Sequence, residues 1–283
     1  MDHLIATDAL AARMGRGDQH LVVLDASFYL PTEQTDPRAV FAQGHIPGAQ
    51  FFDIDQVADQ SSDLPHMLPG SAQFAEAMAA LGIGNATEVV VYDQRGLFSA
   101  ARVWWMLRVF GHERVAVLDG GLPKWRAEGR ALAVGAASLP VRGTFTARFD
   151  PDLVRDRAQV AKAAQSGCAV ILDARAQARF AGSAPEPRPG MRAGHVPGAI
   201  SMPFQTMLNA DQTLKSPEAL RAWFEAHGVD NQRAVITMCG SGVTAAVVSL
   251  ALHHAGLPIS GLYDGSWAEW GGRADTAIET AIG

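Results

Sequence analysis

The sequence predicts an α/β protein that contains two copies of one domain, each a mostly parallel sheet with helices on both faces. Three segments occur twice, at separations of 148, 150 and 145 residues. The pairs are Leu-Val-Val-Leu-Asp25-Ala with Val-Ile-Leu-Asp173-Ala, Gly-His45-Ile-Pro-Gly-Ala with Gly-His195-Val-Pro-Gly-Ala, and Asp119-Gly-Gly with Asp264-Gly-Ser. A separation that stays nearly constant along the chain indicates a duplicated domain. Apolar β-branched runs alternate with amphipathic stretches in each copy, which is typical of a parallel sheet buried on both faces.

The elements of the first copy follow from its apolar pattern and its helix-ending residues. Runs of β-branched residues predict strands over residues 22–24, 89–92 and 115–118. Ser71 is expected to cap a helix that ends at Gly82. Another helix is predicted from Ser99 to Phe110, because its apolar residues continue until Gly111.

The second copy carries the same kinds of signal. A strand is predicted over residues 233–238 and a helix over residues 243–254. Ser216 followed by Pro217 is typical of an N-cap and a first helical residue, and Gly228 ends that helix. The two copies therefore have matching strand and helix sequences.

Domain boundaries are predicted from the repeat and from the composition between the copies. The first domain is expected to cover residues 1–132 and the second residues 164–283, with a linker over residues 133–163. The linker contains glycine and proline and then an alternating stretch over residues 144–149. We expect this part to be extended and to pack across the domain surfaces.

The composition excludes several classes of function. The net charge of −6 argues against a general nucleic-acid or anionic-membrane surface. The two cysteines do not form a Cys-x-x-Cys pair, so neither a disulfide framework nor a zinc site is expected. No apolar run reaches the length of a membrane span, and the first residues lack a signal-peptide core. We therefore expect a cytoplasmic monomer with no metal or cofactor, which binds neither nucleic acid nor membranes.

The segment Cys239-Gly-Ser-Gly-Val-Thr-Ala is the strongest chemical signal in the chain. It follows a buried strand and precedes a helix, and its two glycines allow successive backbone N–H groups to converge. Such a loop, with the positive end of a helix behind it, stabilises an anion. If the anion is the sulfur of Cys239, its pKa falls from about 8.5 towards the range of activated thiols.

The two copies differ at this position. Alignment of the strands places Asp93 of the first copy opposite Cys239, so the first copy has no thiol there. Ligands of open α/β sheets bind outside the carboxyl ends of the strands. We therefore expect one pocket, near Cys239, with a wall formed by the first copy.

These motifs together resemble the tandem-domain rhodanese family of sulfurtransferases, over roughly residues 10–280. The loop is most similar to that of the 3-mercaptopyruvate sulfurtransferases, because the basic pair of thiosulfate-preferring relatives is replaced by Gly240 and Ser241. The resemblance implies that Cys239 takes sulfur from the donor as a persulfide and releases pyruvate. Thioredoxin, a small thiol or cyanide would accept the sulfur, and the donor would contact the loop residues Gly240, Gly242, Val243 and Thr244.

Two arginines match the substrate-binding arginines of that family. They are Arg179 and Arg188, which follow the first strand of the second copy. A keto acid carries a carboxylate at some distance from its sulfur, and a guanidinium binds a carboxylate through two parallel hydrogen bonds. Thiosulfate, a compact dianion, would instead gain from a cation inside the loop. Arg175 directly follows the strand and is predicted to form a structural ion pair.

His45 and His195 occupy the same turn in the two copies, so one structural role could serve both. The resemblance separates them, because it implies a catalytic relay of Asp36, His45 and Ser241 that moves the proton of the donor thiol. His195 is then structural. Arg102 is a further residue that could face the cleft. Cys168 is expected to be an ordinary buried thiol, and residues 103–107, rich in tryptophan, are expected in the core.

Three alternative functions remain at this stage. A thiosulfate sulfurtransferase would use the same cysteine with another donor. A persulfide carrier without catalysis would keep Cys239 but would not need the arginines. A phosphatase of similar topology would need an arginine at position 245 to neutralise the transferring group, and this position is Ala245.

Overall fold

A computed structural model describes residues 2–18, 20–230, 232–258 and 261–280 of the chain. The chain forms two compact units. The first unit contains the chain up to Gln60, Leu68–Asp150 and Asn209–Leu214. The second unit contains Ser61–Met67, Pro151–Leu208 and the chain from Lys215. Each unit is thus completed by a short segment from the other half of the sequence.

The first unit is built on a parallel sheet of five strands. The strands are β1 Leu4–Ile5, β2 Leu21–Asp25, β3 Gln50–Phe51, β4 Glu88–Tyr92 and β5 Val115–Leu118. Their spatial order is β1-β5-β4-β2-β3, and every pair is parallel. The central strands carry Val, Leu and Ala side chains, which are buried. Helices cover both faces of such a parallel sheet.

The helices of the first unit include the elements predicted from its apolar pattern. They are α1 Thr7–Gly15, α2 Pro37–Gln43, α3 Ile54–Val57, α4 Ser71–Ala80, α5 Ala100–Val109 and α6 Gly121–Ala127. Ser71 is the first residue of α4, and Gly70 is its N-cap, so the predicted capping role of Ser71 is wrong. The predicted α5 is confirmed with Ser99 as its N-cap, and Gly111 follows it at a φ of 80°.

The second unit has the same sheet. Its strands are β6 Val154–Arg155, β7 Ala169–Asp173, β8 Ile200–Ser201, β9 Ala234–Met238 and β10 Leu262–Tyr263. The order is β6-β10-β9-β7-β8, again parallel throughout. This order is the one found in the first unit, element for element, which confirms the duplication and the α/β fold predicted from the repeat.

The helices of the second unit complete the correspondence. They are α7 Arg157–Ser166, α8 Gln177–Phe180, α9 Pro217–Ala226, α10 Ala245–His254 and α11 Ser266–Trp270. Ser216 caps α9 by accepting the N–H of Ala219, with Pro217 at the first helical position, as predicted. Short 3-10 turns lie at Pro31–Glu33, Pro151–Leu153 and Phe204–Met207. No helix in the described part of the chain has the length and apolar character that crossing a bilayer requires.

The boundary between the two halves differs from the predicted linker. Residues 143–150 are extended and pack on the first unit, where Phe145 is buried and Arg148 N–H donates to Phe110 O at 2.9 Å. The second sheet already begins at Val154, and α7 begins at Arg157. The predicted linker therefore contains the first strand and part of the first helix of the second unit. A two-residue strand has too short an apolar run to be recognised from the sequence.

Candidate active site

Cys239 lies directly after β9, at the carboxyl end of a central strand. Its side chain is almost fully buried, with 2% of the residue exposed. Its N–H donates to Ser266 Oγ at 3.2 Å, and its carbonyl accepts the N–H of Trp267 at 3.0 Å. The backbone of Cys239 is therefore held by the start of α11, which fixes where its sulfur can lie.

The loop after Cys239 turns at the second of its two glycines and leads into α10. Gly242 has a φ of +76°, a left-handed conformation that glycine adopts without strain. Ser241 and Val243 are buried within the loop, and α10 begins at Ala245. At the start of α10 the N–H groups of Ala246 and Val247 donate to Val243 O at 3.3 Å and to Thr244 O at 3.1 Å. The positive end of the helix dipole favours a negative charge in front of the helix.

The corresponding loop of the first unit already holds an anion of its own. Asp93 is fully buried, and its Oδ2 accepts the N–H groups of Phe98, Ser99 and Ala100 at 2.8–2.9 Å. Its Oδ1 accepts the N–H of Arg95 at 2.9 Å. The loop and the first turn of α5 therefore surround a carboxylate with four backbone donors.

Asp93 and Cys239 occupy equivalent positions in the two units. Each follows the central strand of its sheet, β4 or β9. The carbonyl of Asp93 accepts the N–H of Leu122 at 3.0 Å, as the carbonyl of Cys239 accepts that of Trp267. The first unit thus shows that this loop binds an anion, and in the second unit the group at its entrance is a thiol.

Arg179 reaches the cysteine loop from α8. A Cβ atom at Gly240 would lie 3.0 Å from Arg179 Nη2, so the guanidinium is in contact with the loop backbone. Arg179 also pairs with Glu186, through Nε to Oε1 at 3.2 Å and through Nη2 to Oε2. The structure therefore brings one of the two predicted arginines to the loop, which is where a donor carboxylate would need it.

Arg188 contacts a histidine that the sequence analysis missed. Its Nη2 lies 2.9 Å from Nε2 of His66, and His66 is buried in the Ser61–Met67 segment of the second unit. Because a guanidinium only donates, Nε2 of His66 accepts, and the imidazole is neutral with its proton on Nδ1. A signal existed, since His66 stands in a loop-forming stretch rich in Ser, Asp and Pro, where polar residues are often functional. No repeat or periodicity pointed to it.

Arg175 forms the structural ion pair predicted for it. It is fully buried and binds Asp173 through Nη2 at 2.7 Å and Glu186 through Nη1 at 2.8 Å. Its guanidinium also lies 4.2 Å from the ring centroid of Trp267. Burial opposes the charge, but Asp173 and Glu186 outweigh it and raise the pKa of Arg175.

His45 and His195 make matching contacts in the two units, as expected if both have one structural role in the same turn. The Nδ1–H of His45 donates to Phe41 O at 3.0 Å, and that of His195 to Phe180 O at 2.9 Å. Each ring also stacks on the phenylalanine whose carbonyl it binds. The ring centroids are 3.8 Å apart for Phe41 and His45, and 3.7 Å apart for Phe180 and His195. His45 is thus oriented by a carbonyl.

Asp36 has a partner other than His45. Its side chain accepts the N–H of Arg38 at 2.9 Å and caps α2. The expectation that Asp36 orients the ring of His45 therefore needs correction, since the carbonyl of Phe41 does so. A relay from His45 to Ser241 stays a prediction.

Three further expectations can be compared with the structure. Cys168 is exposed, so its description as a buried thiol is wrong, because it lies in the turn before β7. Arg102 is fully buried, with its guanidinium 4.6 Å from the ring centroid of Trp105. Residues 103–107 are buried, as expected of core residues. In the described part of the chain, no cluster of three His, Cys, Asp or Glu side chains could hold a metal ion.

Comparison with known proteins identifies the family. The model of the rhodanese-like domain matches residues 6–128 and, a second time, residues 156–273. The chain belongs to this family. Each match covers four of the five strands of one sheet and begins directly after its first strand. Of the two rhodanese-like domains, the second carries the cysteine in its loop.

Individual relatives of the rhodanese-like chain are similar over nearly their whole length. The 3-mercaptopyruvate sulfurtransferase of Homo sapiens is 45% identical over 268 residues, which cover 94% of this chain and 90% of the human protein. The thiosulfate sulfurtransferase of Bos taurus is 43% identical over 276 residues, covering 96% and 92%. The crystal structure of SseA from Escherichia coli, a 3-mercaptopyruvate sulfotransferase, has a TM-score of 0.85 at 41% identity and covers 94% of this chain and 99% of that one.

Proposed function

We propose that this protein is a 3-mercaptopyruvate sulfurtransferase that carries sulfur as a persulfide on Cys239. One observation carries the proposal: a buried cysteine stands at the entrance of an anion-binding loop that contains no cation, with Arg179 in contact with its backbone. We infer that backbone N–H groups of this loop stabilise the thiolate and that the guanidinium binds the donor carboxylate.

The transfer step balances without a cofactor. The Cys239 thiolate attacks the donor sulfur, the S–S bond forms, and the C–S bond breaks with its electron pair moving to carbon. The leaving group is the enolate of pyruvate, which takes up a proton. The persulfide then loses its own proton and lies in the loop as an anion. A thiol or cyanide attacks the outer sulfur and restores the Cys239 thiolate.

The neutral loop supports mercaptopyruvate as the preferred donor. Gly240 and Ser241 place no charge beside the sulfur, which suits a donor whose only full charge is a distant carboxylate. Arg179 and Arg188 lie outside the loop and supply planar forks for that carboxylate. The contact between Arg179 and Gly240 is consistent with a donor that spans from the loop to the arginines.

Thiosulfate sulfurtransferase is the second candidate, and a specific observation favours it. The bovine enzyme with that name is as similar to this chain as the human mercaptopyruvate enzyme is, at 43% and 45% identity. Overall identity therefore does not separate the donors, and the composition of the loop is the basis of our choice.

Steady-state kinetics and intact mass together test the proposal. We expect a higher kcat/KM with mercaptopyruvate than with thiosulfate, and no turnover of phosphate esters. Treatment with mercaptopyruvate should add one sulfur to the mass, and dithiothreitol should remove it. Because Cys168 is exposed, Cys168→Ser is the matched control and should keep both results. A mass gain that survives in Cys239→Ser, or a preference for thiosulfate, would contradict the proposal.

A further inference from the structure

Glu186 is a nearly buried carboxylate that binds two arginines at once. Its side chain is 5% exposed and contacts Nη1 of Arg175 at 2.8 Å and the guanidinium of Arg179. Arg175 is itself held by Asp173, and both of these side chains are fully buried. The four residues form a chain of alternating charge that runs from the end of β7 to Arg179.

The charges of these four side chains sum to zero. Their effect on the cysteine loop is to hold Arg179 in one position. Asp173 and Arg175 neutralise each other inside the unit, and Glu186 neutralises Arg179, whose side chain is 21% exposed. A partly exposed arginine is otherwise free to sample many rotamers. Two hydrogen bonds from Nε and Nη2 to Glu186 select one orientation.

The selected orientation leaves one edge of the guanidinium for another ligand. The contact with Glu186 is side-on, and it uses Nε and one hydrogen of Nη2. The remaining edge, formed by Nη1 and Nη2, can bind a second carboxylate through two parallel hydrogen bonds. Nη2 is also the atom that would lie 3.0 Å from a Cβ at Gly240, so this edge is next to the cysteine loop.

We propose that Glu186 is a positioning residue that holds Arg179 so that its Nη1–Nη2 edge receives the carboxylate of the sulfur donor. The donor's identity rests on the proposed function, but the positioning role needs only an anionic ligand. The first unit lacks this arrangement, because Ser27 stands there at the position of Arg175 and binds Asp25. The charged chain therefore belongs to the half that carries the thiol.

The test compares alkylation of Cys239 by an anionic and a neutral reagent. Iodoacetate and iodoacetamide are similar in size and differ in the carboxylate, so their rate ratio reports the anion site without turnover. The background is Cys168→Ser, since that thiol is exposed. The variants are Glu186→Gln, Glu186→Asp, which keeps the charge but is too short to bridge both arginines, and Arg179→Ala. Glu76→Gln, which removes the partner of Arg142 on the first unit, is the matched control.

The expected result is a change in anion selectivity. The iodoacetate-to-iodoacetamide ratio should fall about ten-fold in Glu186→Gln, the loss typical of one charge-assisted hydrogen bond, and less in Glu186→Asp. KM for mercaptopyruvate should rise by a similar factor, with a smaller change in kcat. Glu186→Gln combined with Arg179→Ala should add little to Arg179→Ala alone. Glu76→Gln should leave every value unchanged.

Other outcomes overturn the proposal. A folded Glu186→Gln protein with an unchanged ratio would show that Arg179 needs no positioning. If Glu186→Gln does not fold, Glu186→Asp decides, and an unchanged ratio in that variant has the same meaning. If the ratio falls as expected while the unmodified enzyme fails to use mercaptopyruvate, the proposed function fails and the positioning role stands.

Discussion

The loops at residues 93–99 and 239–245 occupy equivalent positions in the two units, and they differ in the side chain at their first residue. In the first, the Asp93 carboxylate occupies the space in front of α5 and accepts four backbone N–H groups. In the second, the residue at the same position is Cys239, with its backbone held by Ser266 and Trp267. The fold thus supplies four backbone donors to a carboxylate in the first half, and in the second half the side chain at the equivalent position is a thiol.

A second difference lies one strand away. Asp25 and Asp173 end equivalent strands, and each accepts the backbone N–H of the residue two positions later. Asp25 has the neutral partners Ser27, Gln94 and Tyr92 there, and burial raises its pKa. Asp173 instead binds the guanidinium of Arg175. The half that carries the thiol has therefore also gained the cations that reach its loop.

The largest expected effect comes from giving the second loop the group of the first. Cys239→Asp should abolish turnover, because no sulfur can be carried, yet the protein should fold. If the loop favours an anion, Cys239→Asp should be more stable than Cys239→Asn by about 1–3 kcal/mol at neutral pH, since the amide cannot accept all the N–H groups. Thermal unfolding of the two variants measures this. If Cys239→Asn is as stable as Cys239→Asp, the second loop does not stabilise an anion as the first loop does.

The next effect concerns the charge of the second loop. Gly240→Arg with Ser241→Lys should raise kcat/KM for thiosulfate and lower it for mercaptopyruvate by about ten-fold or more, the value of one charge-assisted contact. Two causes act together, because the new cations favour a dianion and a Cβ at position 240 displaces Arg179. Gly240→Ala separates them, and should weaken mercaptopyruvate binding without improving thiosulfate use. An unaltered donor ratio in the double variant would place specificity outside the loop.

Substitution of His45 and of His66, which are both buried, should have different effects. His66→Ala removes the acceptor for Arg188 and should lower kcat/KM for mercaptopyruvate about ten-fold. His45→Ala removes a ring that stacks on Phe41 and should lower the unfolding temperature. The relay from His45 to Ser241 predicts that kcat falls as well. Kinetics and thermal unfolding on the same samples distinguish these effects. An unchanged kcat in folded His45→Ala would contradict the relay from His45 to Ser241.

The smallest effect on activity should follow from emptying the first loop. Asp93→Asn replaces an oxygen that accepts backbone N–H groups with a donor, so buried N–H groups lose their partner. The free energy of unfolding should fall by about 1–3 kcal/mol. Turnover per folded molecule should be unchanged, because the Asp93 carboxylate is fully buried and binds the backbone of its own loop. Denaturant titration provides the measurement, and full stability in Asp93→Asn would show that the carboxylate is not what holds this loop.

The fold and the catalytic loop could be predicted because their signals are local. A β-branched run before Cys239, glycines within the loop and a helix-forming stretch after it are contiguous in sequence. The repeat then doubled each local signal, and the sheet order of the first unit recurs in the second. Boundaries were less certain, since the two-residue strand β6 Val154–Arg155 is held by pairing with a strand more than a hundred residues later.

Contacts between distant residues were decided only by the tertiary structure. The sequence by itself determined the duplication, the position of the thiol and the neutral loop around it. The tertiary structure placed Ser61–Met67 in the second unit and His66 against Arg188, 122 residues away in sequence. It also placed Asp36 at the N-cap of α2, left Cys168 exposed, and placed Arg179 next to Gly240 and in an ion pair with Glu186. The physical reason is that periodicity and turn chemistry act over a few neighbouring residues, whereas the partner of a buried charge depends on which segments the folded chain packs together.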